Sequence, residues 1–117
     1  MNTNRSPQTG PATALAQLLS EHPELPPIRW SLCPDGLLMG SAMRLETDAR
    51  PVMAEFVAVL GGAPVEATSS SVQGDLIFSS WLHTTWRDVP LSVTLGCAAE
   101  LASAPVGLPV AWSAGAA

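Results

Sequence analysis

The four residues Cys33-Pro34-Asp35-Gly36 lie between two runs in which apolar and polar side chains alternate. Proline presets φ and glycine accepts positive φ without steric cost, so this tetrapeptide reads as a tight reversal of the chain. Ahead of it Ile28, Trp30 and Leu32 alternate with Arg29 and Ser31. After it residues 37–44 return. Period-two alternation on both sides of a tight turn is a β-hairpin, and a hairpin commits the chain to a sheet.

The remaining elements must supply what that sheet packs against. Residues 12–21 carry Leu15, Leu18 and Leu19 at helical spacing, with Thr9 as an N-cap candidate, Pro11 near the first turn and His22-Pro23 as a stop. Leu25-Pro26-Pro27 is a rigid extended connector. A second, main helix is predicted over residues 49–60, capped by Thr47 or Asp48 and closed by Gly61-Gly62. Its expected buried stripe is Val52, Phe56, Val59 and Leu60, with Met53 and Val57 at the border. Residues 64–73 are rich in serine and threonine and read as an edge strand.

Residues 76–84 then alternate, with Leu76, Phe78 and Leu82 on one face and Ile77, Ser79, Trp81 and His83 on the other. Residues 87–90 read as a turn, and residues 91–97 as a strand with Leu91, Val93, Leu95 and Cys97 inward. The expectation is an α+β fold in the order α-ββ-α-βββ. An antiparallel β-sheet of about five strands packs on one main helix, because short connections favour antiparallel neighbours. Residues 1–11 are read as a flexible segment and 12–98 as a single domain. Residues 99–117, with Val106, Leu108, Val110 and Trp112 among Ala, Pro and Gly, are read as an irregular tail holding a short docked piece.

Composition supports one packed globule. The chain has 117 residues, 47% hydrophobic and 13% charged, enough for one domain and too few for two ordinary ones. All five basic residues are arginine, with no lysine, a bias that follows from GC-rich codons. The net charge of −5 and the lack of any basic run argue against nucleic acid, whose binding rests on a positive field. Residues 1–10 are polar and no stretch approaches the length of a membrane span. Cys33 and Cys97 have no CxxC spacing. Free thiols, a cytoplasmic location, no membrane and no cofactor are therefore expected.

The densest polar-aromatic stretch is Trp81-Leu82-His83-Thr84-Thr85-Trp86-Arg87-Asp88. Alternation sets Trp81 and His83 on the sheet face away from the core, where an indole makes an apolar patch with a hydrogen-bonding edge. Trp81, His83, Trp86 and Arg87 are thus the candidate partner-binding residues. The plainer reading buries Trp81 under the first helix or the tail, and leaves Arg87 and Asp88 only closing a turn. No catalytic residue is assigned: a His83–Asp88–serine triad lacks any Gly-x-Ser-x-Gly elbow. No metal site is assigned either, since His22, His83, Cys33 and Cys97 show no close pair. Gly61-Gly62 follows a helix rather than opening one, which excludes a phosphate cradle there.

Two segments, Leu15-Ala16-Gln17-Leu18-Leu19 leading into His22-Pro23-Glu24-Leu25-Pro26-Pro27-Ile28-Arg29-Trp30, and His83-Thr84-Thr85-Trp86-Arg87-Asp88-Val89-Pro90, carry a resemblance. Over about residues 12–95 the chain resembles small uncharacterised proteins of Streptomyces-like actinobacteria, some of them carried on phages or integrative elements. The resemblance implies a cytoplasmic actinobacterial protein and brings no activity. Two functions follow as expectations. One is a non-enzymatic interaction or accessory module that grips another protein through the exposed sheet face. The alternative is a small-ligand-binding or enzymatic domain with a sheet–helix cleft and His83 as acid or base. A homo-oligomer through a sheet edge or that face is compatible with either.

Overall fold

The computed structural model describes residues 6–102. Three helices and five strands run in the order α1 (Thr9–Glu21), β1 (Arg29–Leu32), β2 (Leu38–Leu45), α2 (Ala49–Leu60), β3 (Val65–Ser70), β4 (Leu76–Trp86), β5 (Val89–Ala98) and α3 (Ala99–Ala102). The class is α+β, and the strands form one sheet in the spatial order β1-β2-β5-β4-β3. The tail expected over 99–117 starts with the helical turn α3. Its remaining residues, with the docked piece, and residues 1–5 of the N-terminal segment lie outside the described residues.

The predicted turn forms as read. The Gly36 N–H donates to the Cys33 carbonyl, Gly36 sits at φ 96°, and β1 and β2 pair antiparallel from Leu32↔Leu38 to Arg29↔Ser41. The second turn is tighter than residues 87–90. Only Arg87 and Asp88 lie outside the ladder, both at positive φ (54° and 67°), so β4 runs on to Trp86 and β5 starts at Val89. Two successive positive φ values make the turn that matches strand twist, normally written with Asn-Gly. Arg-Asp gives no such sequence signal.

The sheet is mixed rather than purely antiparallel, because β2 and β5 are parallel neighbours. The physical reason is the route between the two antiparallel units. Helix α2 carries the chain back along β2, so β3 starts in the direction of β2, and the tight β3-β4-β5 meander restores that direction in β5. Burial then selects which strand lies beside β2. Strand β5 offers Leu91, Val93, Leu95 and Cys97, all buried, whereas every residue of β3 is exposed. The apolar strand takes the centre and the Ser/Thr strand takes the edge.

The core lies on one side of the sheet. Rungs Trp30–Gly40–Val93–Leu82, Leu32–Leu38–Leu91–Thr84, Ala42–Leu95–Ser80–Glu66 and Leu45–Cys97–Phe78–Thr68 face the helices. Helix α2 meets them with Ala49, Met53, Phe56 and Leu60, and α1 with Pro11, Ala14 and Leu18. Both stripes are rotated from the predicted ones. Met53 is central and Val52 only half-buried, while Leu19 is exposed. A helix with apolar residues on more than one side offers several acceptable faces, and the sheet picks among them. Leu76, expected in the core, has the right parity but lies at the strand end and is 57% exposed.

Candidate functional site

The opposite side of the sheet has no helix on it among the described residues, since no side chain of that parity belongs to the core cluster. The residues are fixed there by register. One rung crosses all five strands as Arg29–Ser41–Thr94–Trp81–Val65. Below it runs Ser31–Met39–Ser92–His83, and above it Gly96–Ser79–Ala67. Met39, Met43 and Val65 are exposed large apolar residues, and Trp81 and Ile77 are half-buried. No strand residue of this face is a carboxylate, although the chain carries ten. Its ionisable strand groups are Arg29 at the β1 edge and the exposed imidazole of His83, with Arg44 exposed beside Met43 in the β2 bulge opposite Gly96.

A bulge shapes the upper part of this face. Ala42 pairs with Leu95 and Leu45 with Cys97, so β2 holds one residue more than β5 between those rungs. The bulge swings Met43 over Gly96, where an added Cβ would come within 2.8 Å of the Met43 methyl and 3.2 Å of its carbonyl oxygen. Glycine at 96 is therefore what lets a thioether lie flat on the sheet at this point.

The four sequence-predicted partner residues separate into two pairs. Trp81 and His83 stand together on the uncovered face, as alternation requires. Trp86 packs against the core cluster on the helix side. Arg87 stacks its guanidinium 4.2 Å from the centre of the Trp86 ring and donates to Glu21 at 2.5 and 2.8 Å and to Gln17 at 2.9 Å. That hydrogen-bonded guanidinium holds the Glu21 carboxyl below its ordinary range. Arg87, stacked on Trp86, thus ties the β4–β5 turn to α1. Met39 and Met43, unremarked in the sequence, belong to the uncovered face, and the hairpin register carried the signal for Met39.

His83 points away from both large helices, so a cleft between sheet and helix does not contain it. Two concavities lie elsewhere. A groove of about 960 Å3 at the end of the sheet is lined by residues including Met43, Leu76, Ile77, Phe78 and Cys97, and a smaller one of about 380 Å3 borders His22 and Trp30. Among the described residues no three His, Cys, Asp or Glu side chains are placed to hold a metal ion, and both cysteines are free. No helix among these residues is long and apolar enough to cross a membrane. No protein-family model, curated protein or solved structure matches the chain.

Proposed function

We propose that this protein is a small, non-enzymatic interaction module that grips another protein through the uncovered sheet face. The observation that carries the reading is the composition of that face: tryptophan, two methionines and hydroxyl residues, free of carboxylates, on a chain of net charge −5. Protein interfaces enrich aromatic residues, Met and Arg at their centres and deplete Asp, Glu and Lys. An amphipathic indole at the middle of a sheet is a suitable anchor, with its ring supplying area and its N–H supplying direction. The position of His83 on the same face, outside any described concavity, supports this reading over an acid/base role in a sheet–helix cleft.

The test is retention of a partner by the tagged full chain in its native host, compared with Trp81→Glu, Met39→Glu and Val72→Glu. Val72 lies in the β3–β4 turn, fully exposed and off the face. A partner kept by wild type and Val72→Glu but lost with both face variants supports the proposal. Equal retention by all four removes it.

A further inference from the structure

We infer that the partner held by the uncovered face is a second copy of this chain, the two sheets meeting face to face about a twofold axis; the inference rests on the reading of that face as a protein-binding surface. The first argument is electrostatic. A chain with ten carboxylates and five arginines repels its own copy at most approaches. Strand residues of the uncovered face contribute no carboxylate, so contact through it keeps the acidic groups at the rim and on the helix side, where water and salt screen them.

The second argument is chemical. A face that pairs with itself must offer groups that are their own complements. Hydroxyls meet that condition because each is both donor and acceptor. The rungs carry Ser41, Thr94, Ser79 and Ser31, with Ser92 already buried among them, and between them Met39, Met43 and Trp81, which pack equally well on their own kind. A face built for a charged partner would carry fixed charges instead. The formal charges in the strands of this face stand at the periphery, Arg29 on the edge strand β1 and Arg44 in the bulge near the end of β2.

The third argument is area. Five strands spaced by about 4.8 Å, averaging roughly 8 residues at about 3.3 Å each, give a face of ~600 Å2. Two such faces remove ~1,200 Å2 from water, which reaches the range of specific, stable interfaces. Two twisted sheets stacked this way form an aligned sandwich, and a twofold arrangement closes without leaving a repeating edge.

Sedimentation equilibrium of the purified full chain tests the inference directly. The expected result is a dimer at tens of micromolar, with Trp81→Glu and Met39→Glu each raising the dissociation constant by at least about tenfold and Val72→Glu leaving it unchanged. Circular dichroism and thermal melting of each variant certify the fold, and Met39→Glu carries the test if Trp81→Glu unfolds. A full chain that stays monomeric at about 200 µM overturns the inference. So does a dimer indifferent to both face variants, which would place the contact off this face. If the pure chain is monomeric while the host retains a different protein that Trp81→Glu loses, the interaction-module reading stands and only the second copy fails.

Discussion

Ser80 stands on the helix-covered face of β4 between Phe78 and Leu82, and its buried hydroxyl meets no hydrogen-bond partner among the described residues. A buried polar group without a partner loses its water for nothing. Ser80→Ala is expected to raise stability by about 1 kcal/mol, read as a melting temperature higher by about 5 °C. Gly40 makes the opposite case. An added Cβ would come within 2.6 Å of the Ile28 Cδ1 and 2.8 Å of the Trp30 ring, which lies over Gly40 to meet Phe56 edge-on with ring centres 6.4 Å apart. Gly40→Ala should cost about 1–3 kcal/mol in a denaturant titration, because the indole must leave its seat. Neither position was legible beforehand. Serine and glycine in a strand announce nothing until the facing side chains are known.

The turns and caps show what a single element carries. Arg87 and Asp88 hold left-handed backbone without being glycine, a conformation that costs roughly 1 kcal/mol or more per residue. The Arg87 contacts with Trp86, Gln17 and Glu21 offset that cost at the first position; among the described residues Asp88 makes no such contact. Asp88→Gly should therefore stabilise the protein by about 1 kcal/mol in thermal melts, while Arg87→Gly loses the tie to α1.

At the start of α2, Asp48 caps the helix by accepting the Arg50 N–H at 3.0 Å, and its carboxylate takes the Arg50 guanidinium at 2.7 and 3.1 Å. The guanidinium also donates to the Ala102 carbonyl, fixing α3 beside α2. These hydrogen bonds, the side-chain ones foremost, depress the Asp48 carboxyl below its ordinary value. A depressed carboxyl stabilises the fold above its unfolded pKa, and that contribution disappears as pH falls through the lower, folded value. Melting temperature should thus decline below about pH 4, and Asp48→Asn, which keeps a capping oxygen, should flatten that decline. Asp48→Ala loses the cap as well, at a cost of about 1 kcal/mol at neutral pH.

Across the described residues, the sheet has one face covered by helices and one without a helix on it. The helix side holds Phe56, Leu82, Leu95 and their neighbours, and Phe56→Ala should cost about 3–5 kcal/mol, a large share of the stability of a domain this size. Trp81, outside that core, should behave differently. Trp81→Glu is expected to lower stability by less than about 2 kcal/mol, read in the same denaturant titration, while weakening association by at least about tenfold. A Trp81 variant as unstable as Phe56→Ala would mean that the indole supports the fold rather than a contact.

The α+β class, the β1–β2 hairpin, the span of α2 and the separation of Trp81 and His83 from the core were all legible in the sequence. Each rests on local chemistry: a proline-glycine turn, a carboxylate cap, and periods of two and 3.6 residues that fix which side chains share a face. The parallel pairing of β2 with β5, the rotation of the α1 and α2 stripes, the two-residue Arg87-Asp88 turn and the engagement of Arg87 with α1 came only with the tertiary structure. Those depend on which apolar strand competes best for the centre of the sheet and on where a helix finds room above it. Such a competition is between segments far apart in the chain, and no local pattern records its outcome.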